Sequence, residues 1–236
     1  PLGKTNAVYA SFVKSLPDAT KELAKLLQHK SADTKAAAAS TLRSLGSHYQ
    51  GVLGPVIPEL IPGVSAGVLD SNSALRIGSL ELLKQILNGS TESAPVQPHL
   101  DKLFAPVDKL LHTAGLHSRA AAAGLDACEA FLVAGAGKID FLNRVFKTFE
   151  TLYKQTDLDS EAKEAAIRAG ARAICNLGTK LPNVSGALDV LIERLGSELT
   201  RETAAIAVGT IAESGTDVGG NAWLDKAVPL LLSFCA

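Results

Sequence analysis

Apolar residues recur along this chain at the three-and-four spacing of helices that bury one face. The clearest stretch runs from Ile57 to Leu69, where Ile57, Leu60, Ile61, Val64, Val68 and Leu69 fall on one stripe. Comparable segments run from about Leu16 to Gln28, Leu100 to Thr113, Ile139 to Tyr153 and Val184 to Leu195. Each is followed by a second, alanine-rich helix that a basic residue opens. These begin at Lys35 (KAAAASTLRSLG), Arg76 (RIGSLELLKQIL), Arg119 (RAAAAGLDACEAFL), Lys163 (KEAAIRAGARAICNLG) and Arg201 (RETAAIAVGTIAESG). The spacing between them is roughly 41, 43, 44 and 38 residues, the period of stacked helical hairpins. Short polar turns such as Asp70-Ser71-Asn72-Ser73 and Asp157-Leu158-Asp159-Ser160 join the two helices of a pair. Their side chains can accept hydrogen bonds from the free N–H groups at a helix start. Glycine and proline separate the pairs at Gly46 to Pro55, Gly89 to Pro98, Gly135 to Gly137 and Gly178 to Pro182. No segment alternates with period two over a strand length. The pattern predicts five helical pairs, an extra helix near Thr5–Ser15 and a last unpaired helix from Asn221 to Ala236.

Composition agrees with this reading. Alanine and leucine dominate, hydrophobic residues make up 47%, charged residues 20% and aromatics 5%. Alanine and leucine lose little side-chain entropy in a helix, and small residues let helices approach closely. The formal net charge of −1 gives no global pull toward nucleic acid or an acidic membrane, so charge recognition has to come from a local patch. No uninterrupted apolar run reaches transmembrane length and no signal peptide opens the chain. Cys128, Cys175 and Cys235 are far apart and sit in apolar helical runs, which suggests reduced thiols and a cytoplasmic setting. Pro1-Leu2-Gly3 reads as the remnant of a cleaved tag, and methionine is absent throughout. Residues 4–236 are therefore expected to form a single domain excised from a longer chain.

The run Pro58-Glu59-Leu60-Ile61-Pro62…Leu69-Asp70…Leu75-Arg76…Leu80…Leu83 resembles the HEAT-repeat pattern. That pattern has a proline in the first helix, an aspartate in the turn and an arginine early in the second. The resemblance implies an all-α, right-handed α-solenoid of about five to six hairpins. A solenoid grows in one dimension because one hairpin cannot bury its apolar face alone. It offers long open surfaces and no enclosed pocket, which implies a non-catalytic protein-binding scaffold with no cofactor.

The turns and second-helix starts form one edge of such a stack. That edge carries His29, Lys30, Lys35, Asn72, Arg76, His117, Arg119, Lys163 and Arg201. Cations at a helix N-terminus face the unfavourable end of the dipole, so their recurrence needs a compensating partner. Two readings stand side by side. In one, each cation pairs with a turn aspartate such as Asp33, Asp70 or Asp159. In the other, Lys30, Lys35, Asn72, Arg76, His117, Arg119, Lys163 and Arg201 form a basic ridge for an acidic partner surface. Other chemistry finds little support. His112 and His117 lie five apart, a poor spacing for one metal. Ala134-Gly135-Ala136-Gly137-Lys138 lacks the strand and spacing of a phosphate loop. Asp159, Glu161 and Glu164 sit where a helix start favours acids, with no second carboxylate pair for acid–base work. Trp223 is expected to close the core of the last helix.

Length and layout also resemble a TOG domain, the tubulin-binding module of microtubule regulators, whose turns form the binding edge. A TOG domain carries a tryptophan in its first intra-repeat turn, where this chain reads His29-Lys30-Ser31-Ala32-Asp33. The alanine-rich second helices resemble the ribosome-binding HEAT region of fungal elongation factor three. The sequence thus leaves open a general protein scaffold, a tubulin-binding module with a cytoskeletal location, and a ribosome- or RNA-associated segment.

Overall fold

The computed structural model describes residues 2–49, 51–88, 95–113, 116, 118–155 and 158–234. The described residues are helices joined by turns, with no strand among them. They group into two compact units, Pro1–Leu110 and Leu111–Ala236.

The first unit contains α1 (Leu2–Leu26), α2 (Ala32–His48), α3 (Ile57–Val68), α4 (Ser73–Asn88) and most of α5 (Leu100–Leu111). Helix α1 packs on α2 and α3 on α4; between pairs, α1 meets α3 and α2 meets α4. First helices thus stack on first helices and second on second. The core between them holds Leu16, Leu27, Leu42, Leu60, Val64, Leu75, Leu80 and Leu83, all buried. The expected extra helix at Thr5–Ser15 is not separate: it runs into the first helix as one 25-residue element. Pro17 lies inside that helix on its exposed side. It removes one backbone bond there without ending the helix. Close packing needs two glycines. A Cβ on Gly63 would lie 2.4 Å from Leu27 Cβ, and one on Gly67 would lie 2.1 Å from Ser79 Oγ.

The second unit contains α6 (Ser118–Ala134), α7 (Ile139–Lys154), α8 (Ser160–Leu177), α9 (Val184–Leu195), α10 (Arg201–Ser214) and α11 (Ala222–Ser233). Here α6, α8 and α10 stack in series, as do α7, α9 and α11. Leu125, Phe131, Phe149, Ile174, Leu191 and Ile211 fill the core. The Phe149 ring stacks on Tyr153 at 5.4 Å between centroids. The Tyr153 hydroxyl donates to the Ala187 carbonyl at 3.1 Å, tying α7 to α9. Burial pushes the Tyr153 phenol well above its ordinary pKa, so it remains a donor. Trp223 is buried on the side of α11 that packs against α9, and its indole N–H has no acceptor.

The five second helices begin at Ala32, Ser73, Ser118, Ser160 and Arg201, about 41 to 45 residues apart. They start up to three residues before the basic residues that announce them in the sequence. Lys35, Arg76 and Lys163 sit at the fourth helical position, Arg119 at the second and Arg201 at the first.

Candidate functional site

The joints between paired helices are built by side chains that cap helix ends. Ser31 Oγ accepts from Thr34 N–H at 3.4 Å, Asn72 Oδ1 from Leu75 N–H at 3.0 Å, and Asp159 Oδ1 from Ala162 N–H at 2.9 Å. Each satisfies a free donor at the start of α2, α4 or α8.

Two cations at second-helix starts, Arg76 and Arg201, are engaged with the end of the first helix of their own hairpin. Arg76 donates from Nε and Nη2 to the Asp70 carbonyl at 3.1 and 2.7 Å, just beyond the end of α3. Arg201 donates from Nε to the Leu195 carbonyl at 3.2 Å, the last residue of α9, and its guanidinium lies 4.1 Å over the Phe234 ring. This geometry resolves the dipole problem posed by the sequence. A cation at the start of a second helix lies beside the C-terminal end of the first helix, whose unpaired carbonyls favour positive charge. Lys35 reaches across to the next hairpin, where its ammonium pairs with Asp70 Oδ2 at 3.0 Å. Asp70 therefore serves three partners: its carbonyl takes Arg76, while its carboxylate takes Lys35 and the Asn72 N–H at 2.9 Å.

The other candidates are placed differently. Lys30 is exposed on the first turn, and Lys163 is half-buried on α8. Arg119 is exposed at the start of α6 and has a partner of its own. His117 lies outside the described residues. The structure brings Lys35 and Arg76 together around Asp70; Lys30, Arg119, Lys163 and Arg201 do not join that cluster.

In the second unit the edge also carries a cleft of about 460 Å³ between the start of α6 and the end of α7. Leu111, Leu116, Leu152 and Leu158 wall it, with His112 and Gln155 at its margin. Its lining mixes these apolar side chains with polar ones such as Thr148, Thr151 and Asp159.

No protein-family model matches the chain. Two solved structures, one designed and one engineered, are similar in fold. A designed armadillo repeat protein superposes with a TM-score of 0.61 at 18% identity, covering 89% of this chain and 87% of its own. An engineered protein superposes with a TM-score of 0.63, also at 18% identity, covering 91% and 97%. With the hairpin stacking and the Asp–Arg turn, this decides the architecture. The chain is an armadillo-like α-solenoid of HEAT-type repeats. By sequence the solenoid is similar to cullin-associated NEDD8-dissociated protein 1 from three organisms. The Arabidopsis thaliana protein is 30% identical over 227 residues, 91% of this chain and 18% of that protein. The Drosophila melanogaster protein is 29% identical over 238 residues, 94% and 19%. The Dictyostelium discoideum protein is 26% identical over 231 residues, 94% and 18%. The solenoid thus spans about a fifth of the length of these relatives.

Within the solenoid, further polar contacts join successive second helices. Arg43 of α2 pairs with Glu81 of α4. Arg172 of α8 pairs with Asp126 of α6 and donates to the buried Glu129 at 3.4 Å; Asn176 donates to Glu129 at 3.3 Å. Sequence pattern alone did not single these out. The available signal was Asp126 and Glu129 in a largely apolar helical run. No group of His, Cys, Asp and Glu able to hold a metal exists among the described residues. The Cys175 thiol is pushed up in pKa by burial, which keeps it protonated at neutral pH. No described helix is long and apolar enough to cross a membrane.

Asp70 gives this edge a measurable signature. The Asn72 N–H, and then the Lys35 ammonium, hold its carboxyl below the ordinary carboxylate range. A lowered folded-state pKa means that the stabilisation is present above the unfolded value and is lost as pH falls through the folded one. Asp70→Asn should therefore lower the urea midpoint at neutral pH. The gap from the wild type should close as both are titrated below about pH 4. A gap of the same size at both pH values would show that the Asp70 charge contributes nothing.

Proposed function

We propose that this solenoid is a non-catalytic binding scaffold whose partner is a cullin, as one segment of a longer cullin-associated array. The observation that carries the reading is the similarity to cullin-associated NEDD8-dissociated protein 1 over 91–94% of the chain in an insect, an amoeba and a plant. The open surfaces of stacked hairpins suit it physically, since they bury area against a large partner without enclosing a reaction. The contact edge is the line of intra-repeat turns. Exposed Lys30, half-buried Lys163 and the Leu116–Leu158 cleft are the features with most to offer a partner there. Lys35, Arg76, Asn72 and Arg201 act on that edge mainly by holding the turns in place.

Size-exclusion chromatography of the chain with a purified, unmodified cullin tests the reading, with tubulin and a ribosomal RNA fragment as parallel arms. Co-elution with the cullin alone is expected. A segment of this size contributes only part of an extensive interface, so the affinity should be modest, on the order of 10 µM. Co-elution with tubulin but not with the cullin would replace this reading by the TOG-like one. Binding to RNA alone would replace it by the ribosome-associated one.

A further inference from the structure

Helix α10 and the turn leading into it carry two large apolar side chains at positions where α2, α4 and α8 carry small or polar ones. One backbone hydrogen bond sets these helices in a common register. The N–H of the basic residue donates to the carbonyl four residues earlier: Lys35 to Ser31, Arg76 to Asn72, Lys163 to Asp159 and Arg201 to Ser197. Two residues before the basic residue stand Asp33, Ala74, Glu161 and, in the last hairpin, Leu199. Five residues after it stand Ser40, Glu81, Arg168 and Ile206. All of these are exposed, Leu199 at 70% and Ile206 at 65%. The exposure belongs to the position in the hairpin and not to the place of α10 in the chain. Helix α8 has a second helix packed on either side, α6 and α10, and its Glu161 and Arg168 are exposed all the same. Leu199, Glu202 and Ile206 are three and then four residues apart, and the Arg201–Ser197 bond carries the helical turn back through Leu199. They therefore share one stripe about 10 Å long.

The charge around this stripe has one sign. Glu198 and Glu202 border it and Glu213 lies seven residues beyond Ile206, all exposed. Their carboxylates have no ion-pair or hydrogen-bond partner among the described residues. The two arginines of the hairpin do not offset them, because Arg194 and Arg201 are directed onto backbone carbonyls. Arg168, at the corresponding position of α8, is held by Glu164 at 3.2 Å. We propose that this side of α10 is a second docking surface, which takes a basic amphipathic helix of a partner protein. Two apolar side chains of that helix, one heptad apart, cover Leu199 and Ile206, and its lysines or arginines face Glu198, Glu202 and Glu213. Charge complementarity selects this occupant. An acidic segment, a nucleic acid or an anionic membrane would be repelled, and a neutral helix would bury carboxylates without partners. The sign is opposite to that of the basic ridge expected from the sequence, and the inference does not rest on the cullin reading.

Fluorescence anisotropy of the intact 236-residue chain with a labelled synthetic helix tests it. The probe is a peptide of about 18 residues built from leucine, alanine and lysine, with leucines along one face and lysines beside them. A dissociation constant on the order of 100 µM is expected, because the surface is small. Ile206→Arg gives α10 the residue type that α8 has at this position and should weaken binding by at least about tenfold. Since Ile206 is exposed, the variant should keep the wild-type melting temperature. Glu202→Gln removes one charge without touching the apolar contact and should weaken binding about threefold. The same peptide with glutamate in place of lysine should not bind at all. Failure of the lysine peptide to bind at up to about 1 mM would overturn the proposal. Equal binding of the glutamate peptide, or lysine-peptide binding that both variants leave unchanged, would overturn it as well. No cullin is present in this assay, so its failure would be distinct from failure of the cullin reading.

Discussion

Gly178→Ala is expected to lower the free energy of unfolding by about 3 kcal/mol, with strain and steric overlap each supplying about half. Gly178 closes α8 with φ +50° and ψ −128°, a backbone conformation that side-chain-bearing residues avoid. A Cβ there would also lie 2.1 Å from the Asp217 carbonyl oxygen and 2.7 Å from Thr216 Cγ2. The first of these is main chain and cannot swing aside. The contact is part of a joint: Thr179 N–H donates to that same Asp217 carbonyl at 2.9 Å, and the Thr216 hydroxyl donates to the Cys175 carbonyl at 2.6 Å. Together they dock the segment between α10 and α11 onto the end of α8. Alanine must either distort α8 or release the segment, and release would loosen α11. Chemical denaturation measures the total, and hydrogen exchange in α11 should rise with it. A cost below about 1 kcal/mol would mean that the joint adjusts freely, contrary to this geometry.

Arg194→Ala is expected to cost about 2–4 kcal/mol, through lost charge-assisted hydrogen bonds and lost packing of the side-chain stem. Arg194 is buried, yet no carboxylate is paired with it in the described contacts. Its Nη2 donates to the carbonyls of Tyr153 and Gln155 at 3.3 and 2.9 Å, at the C-terminal end of α7 in the preceding hairpin. Those carbonyls lie at the end of α7, where the negative end of the helix dipole favours the cation. The Thr200 hydroxyl in turn donates to the Arg194 carbonyl at 3.0 Å, which links the α9–α10 turn to the same contact. Alanine would take this donor from the buried Tyr153 carbonyl and the part-buried Gln155 carbonyl. Arg194→Lys should fall between wild type and alanine, because an ammonium keeps the charge but lacks the planar fork. Equal stability of the lysine variant and the wild type, measured by urea denaturation, would show that the fork geometry contributes nothing.

Both residues illustrate what the sequence can and cannot convey. The period of the hairpins is legible because burial on one helix face imposes a three-and-four spacing, which fixed the five pairs and the final helix to within a few residues. The merged α1 was not legible, because Pro17 reads as a helix boundary and its tolerance depends on which side of the helix meets solvent. The recurrence of basic residues at second-helix starts was plain. Their role was not, since it depends on a first helix ending beside them. The structure places Arg76 and Arg201 on carbonyls and Lys35 on Asp70, so much of the expected ridge serves the fold. Arg194 carried no signal at all: it lies inside a helix, and its acceptors are about 40 residues earlier in the chain.

The same distinction frames the function. Hairpin stacking makes a binding surface, and the similarity to cullin-associated proteins gives that surface a candidate partner. The most direct measurement is a calorimetric titration of this chain into a purified, unmodified cullin. The account predicts saturable binding, on the order of 10 µM. No binding to the unmodified cullin at concentrations tenfold higher would contradict it.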